Sequence, residues 1–328
     1  MSTLTRPGAT ENAAPAKTRR LRGLAWLMFR RHRPALLTCL ALIVLGGAWI
    51  VYQRGAMLDT LHAAGWPGKP ADALGDNVAG DASGTLNSIA VNLSFLTTVL
   101  AVFVGAPLLA SDMENGTARL ATTQSVPRGR WLLAKLGFAL LLVTVTTGAL
   151  SGLFAWWRGS VAPFSPHDWL HDVSFDTTVP VFVALGLFST VLGITIGALI
   201  RRTVPAMALT FLTGYAATIA FDLVKDRLAT PRRIAFPLEG ARPAALDEAV
   251  LVDNWVGTAS GDLYGWGTCA NDVAPDACRA KTGIVNSVWD YFGKDQMAGM
   301  QWAASGIFLV LAGLLVALLL WRTRRGPF

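Results

Sequence analysis

Apolar residues fall into six long runs separated by polar segments. The runs are 35–53, 86–110, 136–157, 178–200, 204–221 and 303–321, and none contains Lys, Arg, Asp, Glu or His. About 20 apolar residues in a helix cross the ~30 Å hydrocarbon layer of a bilayer. Lipid offers no partner to an unpaired N–H or C=O, so each run is expected to be helical. The pattern therefore predicts an all-α polytopic membrane protein with six transmembrane helices. These spans lie within a domain covering 35–328.

The polar segments carry their own patterns. Residues 1–20 lack apolar periodicity and are expected to form a disordered tail. Over 21–34, Leu21, Leu24, Leu27 and Met28 recur at helical spacing among Arg22, Arg30, Arg31 and Arg33. That is the signature of an amphipathic elbow helix lying in a membrane interface. Residues 54–85 read as a loop without a core of its own. Residues 222–302 form the longest polar stretch. They hold Trp255, Tyr264, Trp266, Trp289, Tyr291 and Phe292, enough for a small cap that leans on its neighbours. Arg201-Arg202 followed by Pro205 predicts a tight turn, making spans 4 and 5 a hairpin. Gly148 and Gly152 in span 3, and Gly193 and Gly197 in span 4, have the small-x-x-x-small spacing that lets helices approach closely.

Composition agrees with a membrane protein: 53% of the 328 residues are hydrophobic and 15% charged, where soluble domains carry about a quarter charged. Charge then sets orientation. Residues 1–34, the 111–135 connector, the 201–203 turn and the C-terminal 322–328 hold most of the 28 Lys and Arg. They hold only three of the 21 acids, namely Glu11, Asp112 and Glu114. By the positive-inside rule both termini are expected in the cytoplasm, with 222–302 as an extracellular cap. The net charge of +7 follows from topology and gives no reason to invoke nucleic acid. The first apolar run is too long for the h-region of a signal peptide, so it is expected to stay as an anchor. Cys269 and Cys278 lie close together in the cap and suggest a disulfide, while Cys39 lies within span 1.

Candidate chemistry concentrates at two places. Span 2 carries Asn92, Ser94, Thr97 and Thr98. Such side chains either hydrogen-bond to neighbouring helices or line a passage. The connector after span 2 is longer and more charged than a simple join requires. It holds Asp112, Glu114, Gly116, Thr117, Arg119, Gln124, Arg128, Arg130, Trp131 and Lys135. Asn115-Gly116 marks a turn. Residues 117–124 fit a short helix across the membrane face. Ser125 and Pro127 fit the start of the next helix. Trp131 is expected at the interface, with Lys135 snorkelling toward it. The charges suit charge-assisted contacts with a protein on the same side of the membrane.

Catalytic signatures are missing. The sequence has no G-x-x-x-x-G-K-[ST] phosphate loop, no H-E-x-x-H and no G-x-S-x-G. His167 and His171 lie four apart but have no third ligand at a clear spacing, so no metal is expected. The spans contain no titratable carboxylate of the kind ion-driven carriers use. Any energy for transport is thus expected from a separate protein.

The run from Pro107 through Asp112, Glu114-Asn-Gly-Thr117, Gln124-Ser, Arg128 and Trp131-Leu-Leu-Ala-Lys135 resembles type-2 ATP-binding-cassette exporter permeases, most nearly their actinobacterial branch. Ser111-Asp112 stands where such permeases usually have Arg-Glu. The resemblance implies a non-enzymatic permease subunit in the cell membrane. It would pair with a second permease subunit, as a homodimer or heterodimer, and sit on a nucleotide-binding ATPase subunit. ATP and Mg would be held by that ATPase, and this chain needs no cofactor. The cargo would be a hydrophobic or amphipathic compound. The alternatives are a membrane-anchored sensor and a channel or carrier independent of ATP.

Overall fold

A computed structural model describes residues 30, 33–116, 127–165, 168–171 and 174–325, with the Arg325 side chain excepted. The tail 1–20 lies outside these residues, as does the elbow helix over 21–34 except for Arg30, Arg33 and Pro34.

Six helices are long and apolar enough to cross a membrane. Span 1 is Arg33–Ala64, span 2 Asp76–Glu114 and span 3 Arg128–Ser160. Span 4 is Val181–Ile200, span 5 Thr203–Asp222 and span 6 Met297–Arg325. The chain is thus a multi-pass helical membrane protein. The end of the bundle where span 1 begins also carries Arg128, Arg130, Arg201 and Arg202, and is called the basic end. The opposite end carries 222–302 and is called the cap end.

The segment 54–85 departs from the expected loop. Span 1 continues as helix to Ala64, and span 2 begins at Asp76. An apolar run marks only part of a helix, and here good helix formers continue it, with Met57 and Leu61 buried in the core. Gly65, with φ +106°, stops span 1, and the cis Trp66–Pro67 bond follows. Gly75, with φ +87°, precedes span 2.

Span 4 is the pillar of the bundle. It touches spans 2, 3, 5 and 6, and most of its residues are buried, whereas span 1 is exposed along most of its length. Spans 2 and 4 cross with their backbones in close contact. A Cβ on Gly193 would strike the carbonyl oxygen of Ala101, one on Gly197 that of Ala106, and one on Gly105 that of Thr190. At this crossing span 2 widens into a π-helical turn, Ala101–Gly105, before resuming as Ala106–Glu114. Gly148 and Gly152 make no comparable approach. Of the two glycine pairs, that of span 4 lies at a crowded crossing and that of span 3 does not.

The cap is built on a four-stranded antiparallel sheet in the order β1-β4-β2-β3, which its aromatic content alone did not suggest. The strands are β1 Arg232–Pro237, β2 Val250–Thr258, β3 Leu263–Gly265 and β4 Ile284–Phe292. Arg233 pairs with Asp290 at 2.6 Å and holds that carboxyl below the usual aspartate range. Cys269 and Cys278 are joined, with Cα atoms 5.6 Å apart, beside Val256 and Ile284. The sheet rests on the bundle. Val250 and Phe292 are buried in one cluster with Phe175, Phe188, Met300 and Phe308. Trp169 Nε1 donates to Glu248 O at 3.2 Å. Trp266, at 65% exposure, lies outside this core.

Candidate functional site at the basic end of spans 2, 3 and 5

The site grows from the last two turns of span 2. Ala106–Glu114 brings Asp112 to the inner flank and Glu114 to the tip. Arg128–Ser160 starts with Pro127 ahead of it, so Trp131 and Lys135, one turn apart, face the same neighbour.

Asp112 and Lys135 are paired with each other, and both side chains are buried. Lys135 Nζ also donates to Leu108 O at 2.7 Å and lies 4.7 Å from the centre of the Trp131 ring. Lys135 was expected to reach toward the interface. It is instead 1% exposed and turned into the bundle. The physical reason is the carboxylate and carbonyl that span 2 presents at its depth. A buried ammonium is tolerated when paired and hydrogen-bonded, and the indole face adds a further favourable contact. Trp131, expected at the interface, is buried over this pair.

Glu114 makes the second tie. Its Oε2 accepts from the Thr203 amide at 2.9 Å and from Thr203 Oγ1 at 2.7 Å. Thr203 is the first residue of span 5, whose leading N–H groups have no partner within the helix. A carboxylate at that place also suits the positive end of the helix dipole. Two acids two residues apart thus join span 2 to span 3 on one side and to span 5 on the other. This contact escaped the sequence reading. Its one signal is Thr203 standing just before an apolar run, where helix starts are expected.

The rest of the expected site divides clearly. Arg128 and Arg130 are exposed on the first turn of span 3. Gly116 takes φ +69° after Asn115, whose Nδ2 donates to Ser111 O at 2.8 Å and closes the helix. Thr117, Arg119, Gln124, Ser125 and the short helix over 117–124 lie outside the described residues. In span 2, Asn92 is exposed, Ser94 and Thr98 are half-buried and Thr97 is buried. Asn92 Nδ2 donates to Ser88 O at 2.7 Å and Thr97 Oγ1 to Ser94 O at 2.9 Å, so these two bond within their own helix.

Among the described residues no group of three or more His, Cys, Asp or Glu could hold a metal ion. His171 lies between Asp168, at 3.0 Å from Nδ1, and Asp226, at 2.9 Å from Nε2, on the cap end. His167 is outside the described residues.

The family model described as ABC-2 membrane transporter related matches residues 40–225, from span 1 through span 5. No curated protein matches the chain. No solved structure matches it either. The match covers both acids, Lys135 and Thr203, together with the crossing of spans 2 and 4, and the chain belongs to the ABC-2 membrane transporter related family.

Proposed function

We propose that the chain is the permease subunit of an ATP-driven exporter, and that the connector after span 2 is where a separate ATPase subunit moves it. Membership of the family implies an ATPase partner in general. The supporting observation is the double tie at the basic end. Asp112 binds span 3 through Lys135, and Glu114 binds span 5 through Thr203. A push delivered between Glu114 and Arg128 therefore reaches three spans at once. Arg128 and Arg130 are exposed at the foot of span 3, where charge-assisted contacts with a partner can form.

The basic end is then cytoplasmic, the cap end lies outside the cell membrane, and both termini are inside. ATP and Mg belong to the partner, and a second permease subunit completes the pathway. The direction is outward and the cargo hydrophobic or amphipathic. In this reading Asp112 and Lys135 transmit displacement from within the bundle, while Glu114, Arg128 and Arg130 stand nearest the partner.

The test is to co-express the chain with its ATPase, reconstitute the complex and replace 117–126 by a Gly/Ser linker of equal length. ATP hydrolysis that persists while ATP-driven transport stops supports coupling through the connector. Transport that continues at the original rate overturns it.

A further inference from the structure

The π-turn of span 2, Ala101–Gly105, is fitted to span 4 along one hydrogen bond. The Ala106 N–H donates to Ala101 O, five residues back where an α-helix reaches four. Both atoms face Gly193, since a Cβ there would stand 2.5 Å from Ala101 O and 3.1 Å from Ala106 N. The neighbouring contacts are also with backbone. Gly105 lies against Thr190 O, and Gly197 against Ala106 O. Span 4 thus presents bare glycines where span 2 holds one residue more than an α-turn needs.

Two hydroxyls flank this contact without partners. Thr190 and Thr210 are both 0% exposed, and neither Oγ1 has a hydrogen bond among the described residues. Thr210, on span 5, has its Cγ2 3.1 Å from the Cβ position of Gly193. Threonines in helices commonly donate to the carbonyl four residues back, as Thr195 of span 4 does to Val191 O at 2.8 Å. Buried polar groups are rarely left unpaired, and those that are can mark a reservoir of strain. The widened turn of span 2 and the unsatisfied hydroxyls of spans 4 and 5 therefore meet at one crossing.

In a continuous α-helix each residue is turned about 100° and advanced about 1.5 Å from the one before. Closing the π-turn to an α-turn therefore rotates Ala106–Glu114 by one position relative to Asp76–Leu100. Ser111 then takes the place of Asp112 opposite Lys135, and Met113 that of Glu114 opposite Thr203. Neither carboxylate reaches its partner. Leu109 takes the place of Ala110, whose Cβ lies 3.4 Å from the Cβ position of Gly197. A leucine does not fit there, so spans 2 and 4 must part.

We propose that the π-turn is the moving part of span 2: its closure releases both carboxylate ties in one step and wedges Leu109 between spans 2 and 4. The ties hold the π form, and a force on the connector that overcomes them drives the closure. The inference deepens the permease reading and rests on it only for transport, because the two forms of the turn require no ATPase.

The experiment deletes Phe103, whose side chain is 63% exposed. The flanks then keep their present faces and both ties, joined by an ordinary α-turn with nothing left to close. In nanodiscs the full chain with this deletion should melt at or above the temperature of the unaltered chain. Its amides over 101–106 should exchange with deuterium roughly tenfold more slowly, because interconversion of the turn breaks those hydrogen bonds in the unaltered chain. In complex with the ATPase it should lose most ATP-driven transport while hydrolysis continues. Phe103→Ala, which removes the side chain and keeps the residue, should match the unaltered chain in exchange and transport. Unchanged transport by the deletion variant overturns the inference, and so does unchanged exchange over 101–106. A melting temperature well below that of the unaltered chain also overturns it, because the turn then holds no removable residue. If the unaltered complex shows no ATP-driven transport, the permease reading fails, and the exchange comparison still decides whether the turn moves.

Discussion

Glu114 and Thr203 are 89 residues apart in sequence, yet one carboxylate oxygen accepts both the amide and the hydroxyl of that threonine. Glu114→Ala should lower the melting temperature, because it removes the acceptor shared by the amide and hydroxyl at the start of span 5. It should also lower transport per ATP hydrolysed more than it lowers stability. Thr203→Val removes the same hydroxyl contact, so the double variant should lose less than the sum of the two. Thermal denaturation of the detergent-solubilised variants, alongside coupled assays, measures both effects.

Lys135 and Asp112 give a sharper contrast. Lys135→Met alone strands a buried carboxylate, and Asp112→Leu alone strands a buried ammonium, each costing about 3–5 kcal/mol. The pair Lys135→Met with Asp112→Leu replaces both charges and should recover most of that loss. If the double variant is no more stable than either single one, the pair does not carry the contact between spans 2 and 3. Thermal stability in one detergent decides.

Gly193→Ala and Gly197→Ala place a methyl against the backbone of span 2, where no rotamer change can relieve it. Each should destabilise by about 1–3 kcal/mol, the typical effect of overpacking. Gly152→Ala meets nothing and should be neutral or slightly stabilising. Equal melting temperatures for all three would contradict the crowded crossing.

At the cap end, burial pushes the Asp176 carboxyl up to about 6, with the Lys225 cation opposing and the Asp222 charge adding to the shift. Its Oδ1 has no hydrogen-bond partner among the described residues. The folded-state value lies above the ~3.9 of an unfolded aspartate, so ionisation works against folding. The penalty is absent below pH about 4, grows between about 4 and 6, and stays constant above. At its fullest it is on the order of 2–3 kcal/mol. Asp176→Asn should therefore raise the melting temperature at pH 7 and leave it unchanged near pH 4. Melting curves at the two pH values test the sign.

What could be read from sequence follows from what imposed it. The six spans were legible because hydrocarbon demands unbroken apolar runs of fixed length, and all six runs contain no charge. The continuation of span 1 through 54–64 was not legible, since those residues form no unbroken apolar run. The charges at the basic end were visible as a cluster, but their partners were not. Lys135 at the start of a span fits snorkelling and inward pairing equally well, and only the position of Asp112 on the adjacent helix decides between them. Thr203 and Glu114 belong to different helices and share no local pattern. The π-turn at Ala101–Gly105 lies against the backbone of span 4, a contact that no neighbouring residue in sequence announces. The cap strands carry a bulge between Leu251 and Asp253, which breaks the alternation by which strands are found.

One connection carries a practical result. Strand β4 passes into span 6 through Gly293 and a single 3-10 turn, Lys294–Gln296, and Phe292 shares its burial with Met300 and Phe308. Sheet and helix are therefore joined by a short turn and a shared core. A dye attached near the exposed Trp266 is therefore expected to move with the sixth helix, giving a label on the cap that reads out that helix.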